Sequence, residues 1–436
     1  MNSDQVLNEA AACPFAADGE SAVAGHAFTD PEIQAHPNAY YRALRDGDPV
    51  HYDEMLGMYL VSRYEDLRTV FRDPVTFSQE RGYYKQFAAG YLDELKAILR
   101  RDGGGFFPDV VNIDPPRHAR ARKLTEQAFT NRRMRSLEPE FEAVVGEVVE
   151  NLADRGEADG LSELALPMSI RFITEQLRVP DLDAATIVRW SAAYQAQYSM
   201  MQSREQMLAN AAQICELQNY VIALVKRRQA ERGEDMLSDL IDARIDDDNP
   251  ALSFEELVAT ARTMLIGAHE SISTALTNIL FRVATDPAIA ARFHASADDD
   301  LRMGRFVEEL LRLDPPVRAL SRMTTREVEL GGRLLPEDAH LLVLYASAND
   351  DESVFRCPRD FDMDRPNLGK HMSFGSGSHL CLGLSLARME LRVASKQIAR
   401  RLTDIRLAVP VEDIRFQPTV ATLTVERLPL KFARRA

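Results

Sequence analysis

Apolar and polar residues alternate along this 436-residue chain mostly at helical spacing, with a few short runs that read as strands. The clearest helix lies between Ser253 and Pro287. Ser253-Phe254-Glu255-Glu256 has the form of a capping box, in which the serine hydroxyl and a carboxylate satisfy backbone N–H groups left open by the first turn. Apolar residues then recur at Leu257, Ala261, Met264/Leu265, Ala268, Ile272, Ala275/Leu276, Ile279/Leu280 and Val283, and Thr285-Asp286-Pro287 supplies a stop. Some 30 residues at ~1.5 Å each span ~45 Å, enough to cross a domain, so this segment reads as a central helix. A second helix is predicted over about Asp298–Leu313, stopping at Pro315-Pro316, and a last one over about Leu384–Leu402.

Helical periodicity dominates from about Pro115 onward, through Asp181–Gln229. Met58–Val61, Glu327–Leu330 and His340–Tyr345 read as strands, and Arg415–Phe432 has the alternation of a terminal hairpin. Residues 73–112 and 349–379 read as irregular. The expected class is therefore mainly α with a small β region. Residues 1–30 read as a mobile tail and 31–436 as a single domain. No apolar run approaches the ~18 residues of a membrane span, and the first basic residue is Arg42, which gives no basic leader. A cytoplasmic monomer is the expectation. Acidic residues outnumber Lys+Arg by 67 to 52, for a formal charge of −15, which argues against nucleic-acid binding. Cys13, Cys215, Cys357 and Cys381 are scattered without a CxxC pair, so neither a disulfide framework nor a zinc site is indicated.

One cysteine has an unusual setting. Phe374-Gly375-Ser376-Gly377-Ser378-His379-Leu380-Cys381-Leu382-Gly383 precedes the last predicted helix, and its glycines keep the backbone tight and clear near the sulfur. A helix N-terminus favours thiolate over thiol, and a loop presenting one thiolate suits a single soft axial ligand to haem iron. A lone cysteine is also commonly a small buried hydrophobe, and both readings stand on the spacing alone. The segment fits F-G-x-G-x-H-x-C-x-G and so resembles the cysteine-ligand signature of the cytochrome P-450 family, the haem-thiolate monooxygenases.

The resemblance runs over about residues 31–436 and implies a triangular-prism fold around a buried haem b. It assigns Cys381 as iron ligand, Phe374 and Gly383 to the haem-binding loop, and His379 to a haem propionate. Asp114-Pro115-Pro116-Arg117-His118-Ala119-Arg120-Ala121-Arg122 is similar to the family's D-P-P-x-H-x-R-x-R, which makes His118 and Arg122 a propionate clamp at i,i+4 spacing. Arg322 falls where the family often places another propionate-binding arginine. Glu309 and Arg312 share a helix face, and the resemblance adds Arg365 as the third member of a structural triad. Gly267-Ala268-His269-Glu270-Ser271-Ile272 matches the oxygen-activating helix, with Ser271 where threonine is usual. Ala268 leaves room beside the haem, Glu270 relays protons from solvent, and Ser271 donates a hydrogen bond during cleavage of dioxygen.

The activity so implied is insertion of one atom of dioxygen into a hydrophobic small molecule, by hydroxylation or oxidative dealkylation. Electrons come from NAD(P)H through a 2Fe-2S ferredoxin and its reductase. Arg388, Arg392, Lys396 and Arg400, with a second cluster at Arg117, Arg120, Lys123, Arg132, Arg133 and Arg135, are candidates to dock an acidic ferredoxin. Met264, Leu265, Val317, Arg318 and Val420 are candidates for the substrate pocket, with Arg318 able to recognise a carboxylate. A peroxide-driven peroxygenase and a non-catalytic haem sensor are the alternatives within the same fold.

Overall fold

A computed structural model describes residues 27–87, 91–129, 131–179, 181–198, 203–245, 251–417 and 419–435, so most of the segment read as a tail lies outside the described residues. The central helix runs Phe254–Thr285. Its capping box is formed, with Glu256 N donating to the Ser253 hydroxyl at 3.2 Å and Ser253 N to the Glu256 carboxylate at 2.8 Å. A helix apolar on nearly every face needs neighbours all round. Leu257, Val258 and Leu265 pack with Leu217 and Val221 of helix Arg204–Ala230 and with Ile187 of helix Ala184–Gln195. Leu276, Ile279 and Val283 pack with Val145 and Val149 of helix Asn131–Ala153 and with Leu391 and Ile398 of helix Leu384–Arg401.

The predicted stop after Thr285 is also a start. The Asp286 carboxylate accepts from Ala288 N and Ile289 N at 2.8 and 3.2 Å, and Pro287 sits in the first turn, where its missing N–H costs nothing. Helix Pro287–Ala295 follows, then Asp300–Leu313, the second helix read from the sequence.

The strands, in chain order, are β1 (Val50–Asp53), β2 (Met58–Val61), β3 (Phe77–Ser78), β4 (Glu157–Asp159), β5 (Ala319–Thr324), β6 (Val328–Leu330), β7 (Arg333–Leu335), β8 (His340–Leu344), β9 (Leu402–Leu407) and β10 (Pro429–Arg434). A five-stranded sheet has the order β1-β2-β8-β5-β3, with β8 buried along its whole length as its middle strand. β8 runs parallel to β2 and antiparallel to β5, which sets Arg322 opposite Leu341. The class is mainly α with small sheets, as the periodicity predicts.

Two segments differ from their sequence reading. Residues 73–112 hold helices Gln79–Lys85 and Tyr91–Asp102. The second buries Tyr91, Leu95 and Leu99, an i,i+4,i+8 stripe hidden among six charged residues. The terminal hairpin over 415–432 closes only as a narrow turn, with Gln417 N donating to Thr424 O and Glu426 N to Arg415 O, both at 2.8 Å. The strand proper is β10, and it pairs with β9 and β4.

Candidate haem and oxygen site

The cysteine loop needs its glycines where the chain turns. Gly377 has φ +69°, and a Cβ there would collide with the Phe71 carbonyl. Cys381 N donates to Phe374 O at 2.9 Å, which holds the sulfur three residues ahead of the helix that begins at Leu384. Burial pushes the Cys381 thiol up and outweighs the Gly383 N–H bond and the nearby Arg122 and Arg388 charges. Burial thus works against the thiolate that the helix terminus favours. Yet Cys381 keeps ample accessible surface. The sulfur is thus free to take a partner on its accessible side.

Beside it lies a cluster of two histidines and two arginines that is not fully satisfied. The His118 and His379 rings stack with centroids 3.9 Å apart. Burial lowers both, His379 to about 3 with help from His118 and the Arg322 and Arg122 charges, so both rings are neutral at pH 7. His118 Nδ1 and His379 Nε2 are buried without a hydrogen-bond partner. Arg122 donates to Leu380 O at 2.6 Å, next to the cysteine, and pairs with Glu126 at 2.6 Å. Arg322 is buried beside the Phe71 ring and donates to Ser321 O at 2.7 Å, with no carboxylate ion pair among the described residues. A buried, uncompensated guanidinium and two orphaned ring nitrogens fit a group that brings its own carboxylates, as haem does.

On the central helix, Thr263, Gly267, Ala268, Glu270 and Ser271 keep accessible surface while most of their neighbours are buried. At ~100° per residue, positions 263, 267, 270 and 271 fall within ~60° of one another's mean direction, so they form one face. Burial pushes the Glu270 carboxyl up to about 8 despite a hydrogen bond to Gln195, and its Oε2 has no partner. The Ser271 hydroxyl donates back to Gly267 O at 3.1 Å. His269 points the other way, bonded to Leu265 O and to the Ser191 hydroxyl, both at 2.9 Å, and is a satisfied core histidine. Ser191 and Gln195 fall in the Trp190–Met201 region that the sequence offers as a pocket wall, but their bonds to His269 and Glu270 come from a different helix with no spacing to announce them.

The pocket candidates separate. Met264 borders the Gly267 face. Leu265 lies ~160° round from Gly267 and is fully buried in the core. Val420 is buried against Phe28 and Tyr40, and Val317 packs half-buried beneath the five-stranded sheet. Arg318 is not free for substrate, because it is buried and bonded to Gln34, Thr419 and Thr422.

Glu309, Arg312 and Arg365 come together in the interior. Glu309 accepts from Arg312 Nε and Nη2 at 2.9 and 2.8 Å, from Arg365 Nε at 2.9 Å and from Asp362 N at 3.0 Å. The arginines pass on to the carbonyls of Asn349, Pro358, Cys357 and Asp360, lacing the irregular 349–379 stretch under the cysteine loop. The basic stripe after Cys381 is not bare. Arg388 pairs with Glu308, Arg392 with Glu138 and Asp300, Lys396 with Asp300, and Arg400 with Asp298. Arg117, Arg120 and Arg133 are paired as well, while the Arg132 side chain lies outside the described residues.

A mostly helical fold that sets a glycine-framed cysteine beside an arginine with no described carboxylate partner and two unpartnered histidine nitrogens, with an acid and a hydroxyl on a long helix, defines a haem-binding class of protein. The family model described as Cytochrome P450 matches residues 188–404. Cytochrome P450 107B1 of Saccharopolyspora erythraea is 31% identical over 413 residues, 93% of this chain and 97% of the relative. The 6-deoxyerythronolide B hydroxylase of the same organism is 31% identical over 401 residues, 90% of this chain and 95% of the relative. The solved structure of cytochrome P450 CYP109Q5 from Chondromyces apiculatus superposes with a TM-score of 0.80 at 29% identity, covering 94% of this chain and 98% of that one. The chain belongs to the cytochrome P450 family and is a haem-iron monooxygenase of the bacterial type. No helix among the described residues is long and apolar enough to cross a membrane.

Proposed function

We propose that this monooxygenase hydroxylates or oxidatively dealkylates a hydrophobic small molecule, fed by NAD(P)H through a 2Fe-2S ferredoxin and its reductase in the cytoplasm. The observation that carries the reading is the accessible yet desolvated Cys381 beside two unpartnered histidine nitrogens and an Arg322 charge that no described carboxylate pairs. Cys381 Sγ would hold the iron, and His118, Arg122, Arg322 and His379 would hold the carboxylates of the haem. When bound, the haem supplies reductive activation of dioxygen, with one atom going to substrate and the other leaving as water.

The residues of this chain supply the rest. Gly267 and Ala268 leave space on the helix face that carries the acid. Glu270, protonated below about pH 8, holds a proton at a carboxyl oxygen that has no other partner. Ser271 has its hydroxyl on the same face, one residue on, and turns from the Gly267 carbonyl to donate outward. Apolar side chains bordering that face, Met264 among them, exclude water and bind substrate by burial. The hydroxylase relative supports C–H hydroxylation as the reaction.

The absorption spectrum of dithionite-reduced protein under carbon monoxide tests the ligand. A strongly red-shifted Soret band is expected, lost in Cys381→Ser. A band unchanged in that variant overturns the assignment. Turnover with a surrogate ferredoxin and reductase, compared with peroxide alone, tests the electron source. Product only with peroxide would make the protein a peroxygenase.

A further inference from the structure

A cavity of about 40 Å³, lined by no residue of the cysteine loop, lies between residues 35–41, the last turns of the central helix and the segment Asp314–Arg318. Asn278, on its wall, is eight residues beyond Glu270, or ~12 Å along the helix axis. Arg318 lines it. Of the five guanidinium N–H groups, four go to neutral acceptors: Thr422 O at 3.1 Å, Gln34 O at 2.8 Å, and Gln34 Oε1 and Thr419 O at 3.2 Å. The charge itself is uncompensated, since no carboxylate among the described residues pairs with Arg318, although it is 3% exposed. The Tyr41 phenol acts on it electrostatically.

The acids nearby are already shared. Asp314 binds Arg282 at 2.6 and 2.8 Å, and Asp350 serves Arg359 at 3.2 Å and Arg312 at 3.8 Å. Three lining residues carry a buried polar atom with no partner: the Tyr41 hydroxyl, His36 Nδ1 and Arg359 Nε. Tyr41 is fully buried. Water can satisfy donors but leaves the guanidinium charge, and burying such a charge without a counterion is costly. A small anion answers both needs.

We propose that this cavity binds one small monovalent inorganic anion of halide size, held by Arg318 with the Tyr41 hydroxyl. At ~10–15 Å³ per water-sized occupant the space admits about three such units, too few for an organic carboxylate of any length. The anion ties helix Asn38–Gly47, which carries Tyr41, to the segment after Leu313 and to the central helix. Its role is to fix this corner of the fold, not to take part in oxygen chemistry.

The test uses the holoprotein. Crystals soaked in sodium bromide are measured at the bromine edge, and thermal unfolding is followed in bromide against gluconate, which is too large to enter, at fixed ionic strength. The expected result is an anomalous peak beside the Arg318 guanidinium and a melting temperature that climbs with bromide concentration until saturation. Tyr41→Phe, which keeps the ring, should raise the half-saturating bromide roughly tenfold through loss of one hydrogen bond to a charged group. Arg318→Gln should abolish both signals where it folds. Electron density for water alone overturns the proposal. So does an anomalous peak with identical melting in bromide and gluconate, which is an adventitious ion only.

Discussion

Glu270 is the residue whose protonation matters most. In the unfolded chain its carboxyl titrates near the ordinary 4.5, and in the fold at about 8. Between these values the native state keeps a proton the unfolded state has released, so the stability present below 4.5 declines as pH rises through the window and levels above 8. At about 1.4 kcal/mol per pKa unit the loss is bounded at about 4–5 kcal/mol. His269 runs the other way. Burial lowers it to about 4, so folding gains stability as pH rises from there towards 6.5. Comparing wild type with Glu270→Gln isolates the first effect, because the amide cannot ionise and His269 is common to both. Urea unfolding should show the variant gaining on wild type from pH 6 to pH 9, while product formed per NAD(P)H falls. Parallel pH profiles would mean the carboxylate finds solvent in the cleft.

Among elements, the central helix was legible almost to the residue, because a capping box and an apolar stripe act over neighbouring positions in the chain. What it binds at its N-terminal half was not. Arg262, buried in that helix, donates to Asp109 Oδ1 and Phe107 O, both at 2.8 Å, and to Gln218. Thr263 and Tyr194 also donate to the Asp109 carboxylate. Gln218 in turn donates to Gly103 O and Gly105 O at 2.5 and 2.6 Å. One ion pair thus pins the 103–109 loop to three helices. The sequence signal was the charge itself, an arginine inside an apolar stripe, but its partners lie 44 and 153 residues away. Arg262→Ala leaves a buried carboxylate and should cost about 3–5 kcal/mol in thermal unfolding, with new proteolytic cleavage near residue 105. Arg262→Met combined with Asp109→Leu removes both charges and should recover most of that loss. Equal destabilisation in the double variant would show that packing, not charge, is what the pair provides.

At the scale of the whole molecule, fold class and the order of motifs could be read because each motif is local, whereas side-chain charge could not be read as surface charge. Arg388, Arg392, Lys396 and Arg400 form a helical stripe in sequence, yet Glu308, Glu138 and Asp300 from other helices and Asp298 from a turn reach it and match it charge for charge. Lys123 and Arg135 are exposed and carry no ion pair among the described residues. If the partner is the acidic ferredoxin proposed above, a body of net charge −15 repels it, and these two unmatched cations of the 117–135 cluster are expected to aid its approach. Steady-state turnover at varied ferredoxin and salt checks this. Lys123→Gln with Arg135→Gln should raise the KM for ferredoxin by about tenfold and flatten its salt dependence. Arg400→Gln with Asp298→Asn deletes one matched pair without changing net charge, and should leave both quantities unmoved. If the second change weakens ferredoxin use as much as the first, the partner reads the helix after Cys381 by direct contact and not by field.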